Sequence, residues 1–394
     1  MVTALLSLLT ACTGRVELSS DAEIKFDGPP SGETPVSGDG GSSTVQELWS
    51  KPASQLGKVH AIVNKDDQQL IVSSDTGVHV LLVGSQGNIR CSALTGTNQF
   101  QVPVKAPATL DAAGNTIYYT RSSEKCLGAI KAQSCNAEWN IGGEEYFDCK
   151  AASDTQPALL SDGTLVLGTV ADATNKAHVW GVTAASGQMA WHHELDDHDI
   201  HRSVAADASD VVYLGAQVSG VGRLYRLAAP DFMPSKILEA NRIAAPPFVG
   251  GGSVIVGDWS GVLHAIDGSG GKKWELPAGQ EPIFSAPVER GGTVVVAVSL
   301  NGIHATQGNK EVWSFPVTGV QFSGVAVDAN NTVYIGEMEA CSGGPGGCVY
   351  AVRDGKLQWR FSTDSGINAT PTVGANAVYV GTQTGTIYAL PLAP

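Results

Sequence analysis

The chain has no apolar run long enough to cross a bilayer as a helix, which excludes a membrane-spanning helix. Basic residues are also short. The 24 Lys and Arg stand against 38 Asp and Glu, a formal charge of −14. Phosphate backbones and anionic lipid surfaces both recruit Lys and Arg, so this balance argues against a nucleic-acid partner and against electrostatic docking to a membrane. Catalytic signatures are missing too. There is no G-x-S-x-G nucleophile elbow, no G-x-G-x-x-G opening a helix, no Walker loop and no H-E-x-x-H. The seven cysteines include no C-x-x-C pair, so zinc is the weaker reading of them.

What the chain has in quantity is one short pattern, repeated. Residues 370–390 read T-P-T-V-G-A-N-A-V-Y-V-G-T-Q-T-G-T-I-Y-A-L. Val378, Tyr379 and Val380 form one β-prone arm, and Ile387, Tyr388, Ala389 and Leu390 the other. Gly381 and Gly385 between them mark a hairpin. One such hairpin is marginal in water, but similar runs recur. Their first residues are Leu70, Ile117, Leu165, Val212, Val254, Val294, Val333 and Val378, spaced by 47, 48, 47, 42, 40, 39 and 45 residues. Eight copies of this length fit four strands apiece. The expected fold is therefore all-β, an eight-bladed β-propeller of four-stranded blades over residues 45–394.

A Trp follows most hairpins on a short strand: Trp139, Trp191, Trp274, Trp313 and Trp359. The last copy has none, while Trp49 stands alone before the first. A closed ring predicts this offset. The N-terminal strand becomes the outer strand of the last blade and leaves no open edge between the chain ends. The six Trp are read as blade-docking residues, lying flat between blades over small neighbours: Gly257, Gly336, Gly381, Ala265, Ala305, Ala351 and Ala389. Cys91 and Ile237 stand in for the Trp in copies one and four.

Residues 1–12, M-V-T-A-L-L-S-L-L-T-A-C, read as a signal segment. Leu9-Thr10-Ala11-Cys12 resembles the bacterial lipobox, which implies lipidation of Cys12. Thr13 follows it, where inner-membrane lipoproteins typically carry Asp, so the outer membrane is favoured. Residues 13–44 are rich in Gly, Ser, Pro and acid and read as a flexible tether. Six further cysteines in an exported chain point to disulfides. Cys341 and Cys348 bracket S-G-G-P-G-G and are expected to bridge an extended turn. For Cys91, Cys126, Cys135 and Cys149 the pairing stays open.

The densest polar cluster is W-H-H-E-L-D-D-H-D-I-H-R, residues 191–202. His192, His193, His198 and His201 are metal-capable, but no zinc spacing links them, and a solvated acidic connector is the preferred reading. Asp258-Trp259-Ser260-Gly261 reads as turn chemistry.

The unit V-I-V-G-D-W-S-G-V-L-H-A-I-D-G-S-G-G-K-K-W, residues 254–274, resembles the PQQ-type repeat. That family builds eight-bladed propellers with Trp docked between blades, and it includes two kinds of protein. Quinoprotein dehydrogenases bind PQQ and calcium, and many carry an adjacent-Cys disulfide and an Asp base. This chain has no Cys-Cys pair and no Asp matched to that base. BamB-type lipoprotein scaffolds of the outer-membrane β-barrel assembly machinery resemble it in length, lipobox, tether and number of copies. The resemblance implies a non-enzymatic exported lipoprotein that binds proteins of the cell envelope. It would be monomeric, need no cofactor, and meet the membrane through its lipid anchor alone. The alternative is a PQQ-, quinone- or sugar-binding propeller with oxidoreductase activity.

Overall fold

A computed structural model describes residues 44–394 apart from 95, 98–99, 102, 122–126, 142–154, 170–175, 198, 244, 279–280, 299–301, 318–322 and 342–344. Cys12, the proposed tether up to residue 43, Cys126, Cys149 and His198 lie outside the described residues. Eight four-stranded antiparallel sheets form the ring, seven of them with strands adjacent in sequence order and the eighth completed by the N-terminal strand. We number the blades 1 (59–94), 2 (109–141), 3 (158–195), 4 (199–241), 5 (248–277), 6 (288–315), 7 (326–363) and 8 (372–391, with Trp49–Lys51). All eight anchor residues lie on the second strand of their blade. The first strands stand side by side around the ring axis.

The ring closes as the Trp offset requires. Trp49–Lys51 pairs antiparallel with Ile387–Pro391, setting Trp49 opposite Ala389. The N-terminal strand therefore covers the edge that the C-terminal hairpin would leave bare.

The core is not central. Eight clusters of buried side chains each draw on two neighbouring blades, one cluster per seam. Pleated strands send alternate residues to opposite faces, so each blade is apolar on both sides and its seams hold the ring together. Six seams hold an outer-strand Trp. Five of these tryptophans lie opposite Ala: Trp139 with Ala129, Trp274 with Ala265, Trp313 with Ala305, Trp359 with Ala351 and Trp49 with Ala389; Trp191 lies opposite Gly181. A larger residue there would lift the indole off the sheet. Its ring reaches the turn before the next blade's outer strand. Trp139 Nε1 donates to the Ala184 carbonyl at 2.9 Å, and a Cβ on Gly187 would come within 2.9 Å of the same ring. Gly187 also has φ of 73°, so both its backbone and the indole favour glycine there.

Gly257, Gly336 and Gly381 do not serve the indoles. A Cβ on each would strike Ile283, Ile367 or Val59, 2.3–2.4 Å away, on the segment entering the next blade. They permit a second aliphatic contact per seam. Their position at the end of the second strand puts them too far along the blade to meet the Trp.

The two remaining seams depart from the rule. Between blades 1 and 2, Cys91 faces Val80 on the outer strand, in the position of the Trp. Cys135 sits four residues before Trp139, as Gly187 sits four before Trp191, and it keeps a positive φ of 55°. These two cysteines form a disulfide with Cα atoms 5.7 Å apart. A covalent link thus replaces the indole–glycine contact. Between blades 4 and 5 there is neither an outer-strand Trp nor a disulfide. Tyr213 and Tyr334 share the V-Y-[LI]-G run. Tyr334 pairs with Ala351 and Ala351 with Trp359; Tyr213 pairs with Arg226 and Arg226 with Ser235. By strand register alone the residue in line with the Trp is Ser235. Ile237, on a bulge shifted along the strand, nevertheless packs against the Gly270 turn of blade 5 as Trp139 packs against the Gly187 turn, and so stands in for the Trp.

Candidate functional site

Antiparallel strands sort their connections onto two faces. Turns between first and second strands, and between third and outer strands, share one face. On it the longest connection is residues 228–234. The other face carries the remaining hairpins and the blade-to-blade connections, whose described residues include 103–108, 155–157, 281–287, 323–325 and 338–341. A rigid ring presenting long loops on one side is the usual arrangement for recognition.

Buried polar groups support the bases of these loops. In blade 1, His79 is 1% exposed, with Nε2 2.9 Å from Thr76 Oγ1 and 3.1 Å from Ser74 Oγ, and Nδ1 2.7 Å from Ser92 Oγ. With only hydroxyls as hydrogen-bond partners, burial pushes its pKa down to about 4. In blade 5, Asp258 Oδ1 accepts the Ser260 and Val262 N–H groups and the Ser260 hydroxyl, and Oδ2 meets His264 Nε2 at 3.0 Å. His264 Nδ1 lies 3.1 Å from Glu275 Oε1. Burial opposes the charged imidazole, but hydrogen bonds to the two carboxylates hold the His264 pKa above its ordinary value. Ser260 bonds to the acid and not to the imidazole, so this group lacks the geometry of an activated nucleophile. It fixes a turn. In blade 7, burial raises the pKa of Glu337, which accepts from Tyr350 OH at 2.7 Å.

Above blade 5 the loop face carries an aromatic group. Arg242 lies 3.9 Å from the centre of the half-buried Trp259 ring, and Phe284 meets that ring edge-on at 5.7 Å. A half-buried Trp beneath an Arg is the composition of interface anchors. The sequence shows Trp259 inside a turn, but nothing in it places Arg242 and Phe284 beside that ring, because the three come from different loops.

The histidine cluster is strand, not connector. His192 and His193 belong to Met189–Leu195, and His201 to Asp199–Ala206. His192 stacks on Trp180 at 3.9 Å and meets His178 at 2.9 Å, while His193 bonds the Asp231 carbonyl in blade 4. As strand neighbours they point to opposite faces and cannot close on one ion. Among the described residues no group of three or more His, Cys, Asp or Glu converges. Asp197 within the cluster is fully buried, held by Tyr225 OH at 2.6 Å and Arg223 at 3.2 Å.

A family model described as the outer membrane protein assembly factor BamB matches residues 299–392. The crystal structure of BamB from Moraxella catarrhalis superposes with a TM-score of 0.66 over 89% of this chain and 98% of that one, at 16% identity. The chain is a BamB-like propeller of PQQ-type repeats. At this identity the likeness to the solved structure is one of fold. The computationally designed Ika8 protein matches comparably, with a TM-score of 0.67, 15% identity and coverage of 88% and 100%. No curated protein matches the chain. In this BamB-like ring the second described disulfide, Cys341–Cys348, closes the blade 7 hairpin on the loop face, its Cα atoms 4.8 Å apart.

Proposed function

We propose that the chain is a non-enzymatic, protein-binding scaffold of the bacterial envelope, held to the outer membrane by lipid on Cys12. The observation that carries this reading is the segregation of long loops onto one face, with the Arg242–Trp259–Phe284 group among them. The match of residues 299–392 to the BamB model supports an assembly role. The blade edges offer a further mode of contact. Thr44 already pairs in parallel with Arg360 on the outer strand of blade 7, so that edge accepts an added strand. Extended segments of unfolded barrel proteins have this shape.

Photo-cross-linking residues placed at Trp259 and Thr384 on the loop face, and at Asn330 on the short-turn face, test the reading in cells. Cross-links from the first two positions to an outer-membrane assembly protein, with none from Asn330, are expected. Equal capture from both faces, or none, overturns it. Cys12→Ser is expected to move the protein from the membrane to the soluble envelope fraction.

A further inference from the structure

The Cys341–Cys348 disulfide has two unlike ends. Cys348 is fully buried, in the cluster that fills the seam between blades 6 and 7. Cys341 is half-buried and lines a cleft of about 360 Å³ at the outer edge of blade 7, together with Thr44, Val45, Arg360, Phe361 and Ser362. A volume of this size falls in the range of small-ligand clefts, roughly 300–1,000 Å³. Arg360 Nη1 donates to the Cys341 carbonyl at 3.3 Å, so a guanidinium stands at the accessible end. An anionic sulfur entering the cleft would meet that charge.

The buried end faces an acid. Strand register sets Glu337 and Ser362 on either side of Cys348, so the three side chains share one face of the blade. Directly opposed residues hold their Cβ atoms about 4.5–5.5 Å apart. Glu337 is 2% exposed and accepts from Tyr350 OH at 2.7 Å. Burial raises its pKa, and Glu339 adds to the rise while the Tyr350 bond opposes it. A buried carboxyl beside a buried sulfur can give its proton to a departing thiolate and take one back from the thiol. The Cys91–Cys135 bridge offers a comparison within the same molecule. It sits among Val78, Val80 and Ile130, with no acid in its cluster.

We infer that Cys341–Cys348 is a redox-active bridge that exchanges with cysteine thiols of another protein presented in this cleft. The incoming thiolate attacks Cys341 Sγ and forms a mixed disulfide. The Cys341–Cys348 bond breaks, and Cys348 leaves as a thiolate that takes the proton of Glu337. A second thiolate then attacks the partner's sulfur in the mixed disulfide and releases Cys341 as a thiolate. Two thiols are thereby oxidised to a disulfide and this bridge is reduced to a dithiol. The protons shed by the two thiols pass to solvent, which reprotonates Glu337 and Cys341. The probe is N-acetyl-cysteinamide, added to the folded protein, with rapid alkylation and mass-spectrometric mapping. A mixed disulfide on Cys341 and not on Cys348, formed while Cys91–Cys135 stays intact, is expected. Glu337→Gln should slow the exchange about ten-fold. From pH 5 to 8 the parent's rate per thiolate should fall as Glu337 loses its proton, whereas that of Glu337→Gln stays flat. Glu339, Tyr350 and Arg360 are the other titratable or charged groups about the site, and Glu339→Gln should keep the parent's fall. The mapping uses the parent protein, so it decides even where a variant does not fold. Exchange no faster than at Cys91–Cys135, capture on Cys348, or a rate and pH profile unchanged in Glu337→Gln overturns the inference. None of these readouts involves the loop-face cross-links, so either reading can fail alone.

Discussion

His79 and His264 are both nearly buried, 1% and 8% exposed, and their surroundings drive them in opposite directions. Hydroxyl partners leave His79 neutral, its pKa lowered by burial to about 4. An unfolded histidine titrates near 6.5. Between those values the unfolded chain binds a proton that the folded chain refuses. The stability tied to His79 is thus fully present above about pH 6.5 and is lost as pH falls toward 4, by about 2 kcal/mol between pH 7 and 5. His264 is raised by Asp258 and Glu275, so its contribution is full below about 6.5 and is lost as pH rises through its folded value. Urea unfolding of His79→Gln at pH 7 and pH 5 should show an acid-side loss smaller than that of the parent by about 2 kcal/mol. An unchanged loss would show that His79 does not control it. His264→Gln should narrow its deficit as pH rises.

At the scale of elements, the seam is the unit of stability, and the chain fills it with interchangeable devices. The Cys91–Cys135 disulfide spans 44 residues, worth roughly 3–4 kcal/mol in the chain-entropy view. Cys91→Ser with Cys135→Ser should lose that much by denaturant unfolding. Cys91→Trp with Cys135→Gly should recover much of it and remove the share of reductant sensitivity that this bridge carries, Cys341–Cys348 remaining, because it rebuilds the contact seen between Trp139 and Gly187. A tryptophan–glycine variant no more stable than the double serine would show that the disulfide replaces nothing. Blade number, strand order and closure were all readable from the chain, since apolar runs and Trp recur at a period that only a ring satisfies. The Cys91–Cys135 pairing was not, because it depends on aligning a turn of one blade with the outer strand of another. Ile237 was readable as the stand-in for the blade 4 Trp and does pack on the Gly270 turn, although a shifted bulge takes it out of strict strand register. The glycines were misassigned because sequence spacing cannot say which seam neighbour a small residue admits. The Arg242–Trp259–Phe284 group was invisible because the turn residues around Trp259 accounted for that stretch without any partner.

For the whole molecule, closure carries the most weight, since a ring has no central core to fall back on and an open seam exposes two blade faces at once. The strand Trp49–Lys51 supplies blade 8 with its outer edge and places Trp49 in the seam with blade 1, where a Cβ on Gly87 would lie 2.7 Å from the indole. Two soluble forms separate this role from that of the preceding residues. A form beginning at residue 44 should unfold at the same temperature as one that retains residues 13–43. A form beginning at residue 52 loses Trp49 and bares Ile387–Pro391. Loss of a packed Trp alone costs roughly 3–5 kcal/mol, and the bared strand is a template for pairing with a second copy. That form should therefore unfold at a lower temperature and show dimers in sedimentation, both reversed by adding a peptide of residues 44–51. Equal unfolding temperatures for the forms starting at 44 and 52 would mean that the C-terminal hairpin closes the ring by itself, and that Trp49 is dispensable.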